Sequence, residues 1–256
     1  MAQDINALSA RTPRLAVLID ADNVSAGSAE AILNEIASYG DPSLRRVYGD
    51  WSSAALGQWK ERARALGLVM HQQSANTKGK NASDIGLVID AMDILHAGKV
   101  DGFVLVSSDS DFTRLASRIR EDGLQVIGVG EAKTPESLRK VCNRFVLIEN
   151  IIGSEVNTQG SRAAPVSVKS DRAADPLPAK KPANDAIPQI LEAMRKIDAD
   201  QDWYVLGHLG QVLIQIFPDF DSRSFGSPKL SDLLRKIPRF EVQVGPNNSL
   251  QVRDKA

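Results

Sequence analysis

The sequence predicts an α/β domain built on an open parallel sheet with helices on both faces, followed by a linker and a small winged-helix domain. Three observations carry this. Short apolar runs alternate with amphipathic segments over residues 14–150, and two of those runs, LAVLIDADN at 15–23 and GFVLVSSDSDF at 102–112, end in clustered aspartates. The composition then changes at 153–185 before a different pattern resumes. An apolar run of about five residues bounded by turn formers reads as a buried strand of a parallel sheet.

Strands are expected at 14–20, 44–49, 67–71, 102–107, 124–129 and 144–148, and helices at 26–39, 52–65, 83–97, 111–122 and 135–142. This rhythm argues for βαβ units, whose right-handed crossovers distribute the helices over the two faces of a Rossmann-like sheet. In the helix at 83–97, Ile85, Val88, Ile89, Met92 and Leu95 follow i, i+3, i+4, i+7 spacing and form the expected apolar face. Ser83 is its expected N-cap, Asp84 lies in its first turn, and Asp90 and Asp93 fall on the solvated side. Acids are favoured at helix N-termini by the macrodipole alone, so Asp84 gains weight only from its company.

Residues 153–185 hold six alanines and four prolines without apolar periodicity. Such a composition cannot bury a core and reads as a semi-extended linker. The expected division is therefore 1–152, a linker at 153–185, and 186–256. In the last part, IPQILEAMRKI at 187–197 and WYVLGHLGQVLIQIF at 203–217 have helical periodicity, and Ser227 followed by Pro228 reads as N-cap and N1 of a helix over KLSDLLRKI. FEVQV and SLQVR around GPNN read as a hairpin. Three helices and a terminal hairpin make a winged helix; a small bundle packed on the first domain is the competing reading.

A length of 256 residues suits two domains, and a single cysteine excludes an internal disulfide. The N-terminal MAQDINALSARTPR has no apolar core for a secretory signal, so a cytoplasmic location is expected. No apolar run approaches the roughly 18 residues needed to cross a bilayer, so no membrane contact is expected. Residues 1–152 carry 17 basic and 19 acidic side chains and residues 186–256 carry nine of each. Any nucleic-acid binding must then use local patches and a metal, not a global positive field.

The aspartates ending the first and fourth strands, Asp20, Asp22, Asp109 and Asp111, fall at the carboxyl edge of the sheet. Ligands of open α/β sheets collect at that edge, where the winding reverses. Two carboxylates about 4 Å apart repel by roughly 4 kcal/mol at an effective dielectric near 20, so a cation is needed to neutralise the cluster. Carboxylate oxygens favour Mg²⁺ or Mn²⁺. Zinc is not expected, because His71, His96 and His208 are scattered and Cys142 reads as a small buried apolar side chain.

With these residues in view, LIDADN, NASDIGLVIDAMD and LVSSDSDF resemble, in order and spacing, the three signature segments of the NYN domains, a branch of the PIN-like nucleases. The resemblance covers about residues 13–150. It implies a Mg²⁺- or Mn²⁺-dependent ribonuclease with Asp20, Asp84 and Asp109 at the family's acidic positions. Asp111 and Asp50 match less regularly acidic positions. Asp22 and Asn23 lie beside the first ligand and are expected to orient it or the substrate; Ser107 and Ser108 are candidates for phosphate contact or for turn capping. Lys78 and Lys80, flanking Gly79, form a cationic loop where a polyanion would approach the metal. SRSFGSPKLSDLLRKIPRFEV at 222–242 resembles the OST-HTH, or LOTUS, module, which implies RNA or protein binding, with Lys229, Arg235, Lys236 and Arg239 as its basic side.

The expected chemistry is metal-assisted hydrolysis of an RNA phosphodiester. Two readings compete. VLIDADNV at 17–24 also fits the first motif of haloacid-dehalogenase-type phosphatases, with Asp20 as nucleophile and Asp22 as general acid. A nuclease-like RNA- or protein-binding regulator with little activity is the other. Among the tryptophans, Trp51 is a candidate for base stacking near the cleft, while Trp59 reads as a core or interface residue and Trp203, at an expected helix start, as core.

Overall fold

The structure is a computed structural model describing residues 11–72, 82–159, 180–199, 201–245 and 248–255; the side chains of 82–84 and 155–159 lie outside that description. The first domain runs β1 (Arg14–Asp20), α1 (Ala29–Ala37), β2 (Asp41–Gly49), α2 (Gly57–Leu66), β3 (Val69–Gln72), α3 (Ala82–Ala97), β4 (Gly102–Val106), α4 (Thr113–Glu121), β5 (Gln125–Gly130), α5 (Glu136–Val141), β6 (Arg144–Leu147) and α6 (Ile148–Gln159). The six strands form one parallel sheet in the order β3-β2-β1-β4-β5-β6. The chain winds outward from β1 to β3, then returns to the other side of β1 at β4. β1 and β4 are therefore neighbours across the point where the winding reverses.

Alternation along the strands sends side chains to two cores. Val17 and Ile19 pack with Ile32, Ile36, Trp59 and Ile151, which places α1, α2 and α6 on one face. Ala16 and Leu18 pack with Leu87, Ala91, Leu115, Ile119 and Leu138, which places α3, α4 and α5 on the other. Cys142 belongs to the second core, donates to the Leu138 carbonyl at 3.2 Å, and has its thiol pushed up to about 12 by burial. It is the small buried side chain the sequence indicated.

Three expectations in this domain are corrected. The buried face of α3 is Leu87, Ala91, Ile94 and Leu95, while Ile85 and Ile89 are 59% and 58% exposed. Two apolar arcs overlap on this helix, and the one containing Leu87 and Ala91 meets the sheet. Asp90 is not on a solvated side: it accepts hydrogen bonds from the Arg46 guanidinium and the buried Tyr48 hydroxyl on β2. Finally, helix extends to Gln159 where a linker was expected from 153. Ile148, Ile151 and Ile152 at i, i+3, i+4 spacing anchor α6 against the α1 face. Most of the remaining linker expectation lies outside the described residues.

The C-terminal part runs α7 (Ile187–Ile197), β7 (Tyr204–Val205), α8 (Leu206–Ile216), α9 (Leu230–Lys236), β8 (Phe240–Val244) and β9 (Leu250–Asp254), with an antiparallel sheet β7-β9-β8. Ile190, Met194, Leu209, Leu213, Leu234 and Val252 form its core. The expected helix at 203–217 starts only at Leu206, because Tyr204 and Val205 pair with β9 and Tyr204 is buried. Ser227 is not an N-cap. Its N–H donates to the Ser222 carbonyl at 3.1 Å to close the preceding turn at Gly226 (φ 68°), and Lys229 precedes the first residue of α9.

This module is docked on the sheet domain. The Phe145 N–H of the edge strand β6 donates to the Pro218 carbonyl at 2.7 Å, capping an edge that is otherwise open to association. Asn150 Nδ2 donates to Ser224 Oγ at 2.7 Å and Arg139 pairs with Asp219 at 2.9 Å. A further contact is ionic. Arg223 donates through Nη1 and Nη2 to Glu35 at 3.0 and 2.8 Å and through Nε and Nη2 to Asp221 Oδ2 at 2.9 and 2.7 Å, with Tyr39 Oη donating to Glu35 Oε1 at 2.7 Å.

Candidate active site

The parallel pairing of β1 with β4 sets Ile19 opposite Val106, so Asp20 leaves β1 beside Ser107. Asp20 is 2% exposed and accepts three hydrogen bonds. Its Oδ1 accepts from the Asp22 N–H at 3.1 Å; its Oδ2 accepts from Asn23 Nδ2 at 2.5 Å and from Ser107 Oγ at 2.9 Å. Ser107 Oγ in turn accepts the Asp109 N–H at 3.1 Å. One buried hydroxyl thus joins the acid of β1 to the backbone of the acid after β4. Asp109 is half-buried and caps the following 3-10 turn, Ser110–Phe112, by accepting from the Asp111 N–H at 2.9 Å.

The loop after β5 supports this edge. Ser107 donates its N–H to Val129 O at 3.0 Å, and Ser108 Oγ accepts from the Glu131 N–H at 2.9 Å. Gly130 permits the close approach, since a Cβ there would stand 2.8 Å from the Ser107 carbonyl. Both serines, at 3% and 8% exposure, make structural ties at this edge. Asn23 holds Asp20, while Asp22 and Asp111 are exposed at the rim. Asp50 follows β2 and accepts from Ser52 N–H, Ser52 Oγ and Gln72 Nε2 at 3.1, 2.6 and 3.0 Å, with the Ser52 bond first among the causes that lower its pKa. Trp51 is half-buried and donates to the His71 carbonyl at 2.9 Å; Trp59 is buried and donates to Val24 O at 3.1 Å.

Burial raises the Asp20 pKa, opposed by the hydrogen bonds from Asn23 and Ser107. Among the described residues no cationic side chain pairs with Asp20, Asp109 or Asp111. A buried carboxylate without a counter-charge among the described residues, at the same strand edge as Asp109 and Asp111, offers the hard oxygen ligands that suit a divalent cation. Among the described residues no three His, Cys, Asp or Glu side chains gather as a metal group. Asp84 lies in the first turn of α3, its side chain outside the description, and Lys78 and Lys80 also lie outside the described residues.

On the module, the four expected cations differ. Arg239 is held by Asp254 through two bonds of 2.7 and 2.6 Å, and Lys236 Nζ donates to the Gly226 carbonyl at 2.6 Å. Arg235 stands 3.8 Å from Asp232, and among the described residues Lys229 has no acidic partner. Trp203 is a half-buried surface residue under the Arg253 guanidinium, 4.9 Å from the ring centroid, where core was expected. Glu35, Arg144 and Arg223, which build the domain junction, were not singled out in the sequence; they carry no local motif.

Residues 14–149 match the NYN domain and residues 180–252 match the OST-HTH/LOTUS domain. The chain belongs to the NYN family of PIN-like nucleases and carries an OST-HTH/LOTUS domain after it. This replaces the phosphatase reading of VLIDADNV. Among solved structures, a protein of unknown function from Vibrio parahaemolyticus is 22% identical, with a TM-score of 0.44 over 58% of this chain and 96% of that one. An uncharacterized protein from Nitrosomonas europaea is 28% identical, with a TM-score of 0.26 over 37% and 93%. No curated protein matches. Among the described residues no helix is long and apolar enough to cross a membrane.

Proposed function

We propose that the protein is a divalent-metal-dependent ribonuclease that hydrolyses RNA phosphodiesters, with a C-terminal module that binds RNA or a protein partner. The observation that carries this reading is the Asp20–Ser107–Asp109 linkage at the winding reversal of a NYN sheet. Asp20, Asp84 and Asp109 hold the ion, with Asp111 at its rim. When bound, Mg²⁺ or Mn²⁺ supplies charge neutralisation at the phosphoryl oxygens and acidifies water.

The chain's own groups do the positioning. Ser107 and Asn23 fix the orientation of Asp20, so its carboxylate is aimed before any ligand arrives. Asp22 and Asp50 flank the cleft, and Lys78 and Lys80 meet the polyanion. No side chain is attacked in this chemistry, consistent with motifs that offer no histidine, cysteine or lysine candidate.

The test is incubation of the full chain with mixed RNA under Mg²⁺, Mn²⁺ and EDTA. Cleavage in either metal arm and none in EDTA supports the reading. RNA binding without cleavage in any arm instead favours the regulator with little activity.

A further inference from the structure

A groove of about 640 Å³ opens between the two domains, at the opposite edge of the sheet from Asp20. Its walls are the end of α1, the start of β6, the first turns of α8 and the start of α9. Domain junctions are common ligand sites, and this volume falls in the usual range.

The charges are unevenly satisfied. Glu35 and Asp221 line the groove and both are bound by Arg223, leaving Arg144 and Lys229 without acidic partners among the described residues. Arg144 lies over the Tyr39 ring at 5.1 Å, and its Nε is buried with no acceptor among the described residues. Ile214, Phe220 and Leu230 give the groove an apolar side, and Gly207 leaves it open: a Cβ there would meet nothing within 4 Å.

We propose that this groove binds a nucleotidyl phosphate, with Arg144 and Lys229 on the phosphate and the apolar wall beside the base or ribose. The phosphate belongs either to an RNA strand or to a free mononucleotide. The inference rests on the groove alone and is independent of catalysis at Asp20.

The test uses the full-length Asp20→Asn protein in EDTA, with fluorescence anisotropy of a short 5′-labelled single-stranded RNA and competition by AMP. Gly207→Glu is the decisive variant. It puts a carboxylate in the groove, yet an acid in the first turn of α8 suits the helix dipole and replaces a poor helix former, so thermal stability is kept or raised. Loss of charge-assisted contacts should weaken RNA binding about tenfold or more in Gly207→Glu and in Lys229→Glu, with Lys60→Glu on exposed α2 unchanged. Competition by AMP assigns the site to free nucleotides; its absence, with RNA bound, assigns it to a strand. The proposal is overturned if neither ligand binds, if folded Gly207→Glu and Lys229→Glu bind as their parent does, or if Lys60→Glu weakens binding equally. Metal-dependent cleavage of a dinucleotide by wild type and by Gly207→Glu reads the Asp20 site separately.

Discussion

Ser107 donates its hydroxyl to Asp20 Oδ2 at 2.9 Å while accepting the Asp109 N–H at 3.1 Å, so a single buried side chain sets the relation between two acids that lie far apart in sequence. Hydrogen bonds to charged groups contribute about 1.5–3 kcal/mol. Ser107→Ala should lower metal affinity about tenfold or more, with loss of cleavage in proportion, and a Mn²⁺ titration of the folded variant checks it. Unchanged affinity would mean the two acids are positioned by the backbone alone.

Asp20 is buried, and burial is the main reason its pKa is raised. A carboxyl with a raised folded pKa contributes stability that is present below the unfolded value, 3.8, and lost as pH rises through the folded value. In metal-free buffer the wild type should therefore lose stability relative to Asp20→Asn as pH climbs through that window, and divalent metal should reverse the loss. Thermal melts of both proteins from acid to neutral pH, with and without Mg²⁺, measure this.

The junction titrates in the opposite sense. Burial raises Glu35, but the hydrogen bonds from Arg223 and Tyr39 outweigh it and the pKa is lowered. Its stabilising contribution is present above the unfolded value of 4.5 and lost as pH falls through the folded one. Removing one member of a largely buried ion pair costs about 3 kcal/mol. Arg223→Ala should destabilise the docked state by about that amount and expose Asn150 and Phe145 to hydrogen exchange; equal protection in both proteins would show that the ionic contact is dispensable.

On the module, Lys236 and Arg239 are committed to Gly226 and Asp254, whereas Arg235 and Lys229 are freer. Paired Ala substitutions should separate the two sets. Lys229 and Arg235 changes should weaken RNA binding and flatten its salt dependence, with slope falling by roughly 0.7 per lost phosphate contact on single strands. Larger effects from Lys236 and Arg239 changes, in proteins with unaltered melting, contradict this ordering.

Most of the sheet was legible because buried parallel strands are continuous apolar runs, and LAVLID and GFVLV cannot be mistaken for surface. The positions of Asp20 and Asp109 followed directly, since strand ends are fixed by the switch from apolar to turn residues. The buried face of α3 was not legible. Ile85 and Ile89 on one arc and Leu87 and Ala91 on another are equally apolar, and only contact with the sheet decides between them. Nor was the role of Ser107, which depends on the β1–β4 register bringing residues 20 and 107 side by side. The docking of Arg223 on Glu35, 188 residues apart, leaves no local pattern at either position.

The central claim is that Asp20, Asp84 and Asp109 hold one divalent site, and calorimetric titration of Mn²⁺ into the full-length wild type and the single Asp→Asn variants at these positions tests it most directly. The account predicts saturable binding by the wild type and its loss, or a drop of about a hundredfold, in each of the three folded variants. Wild-type affinity in folded Asp20→Asn, Asp84→Asn or Asp109→Asn would contradict it.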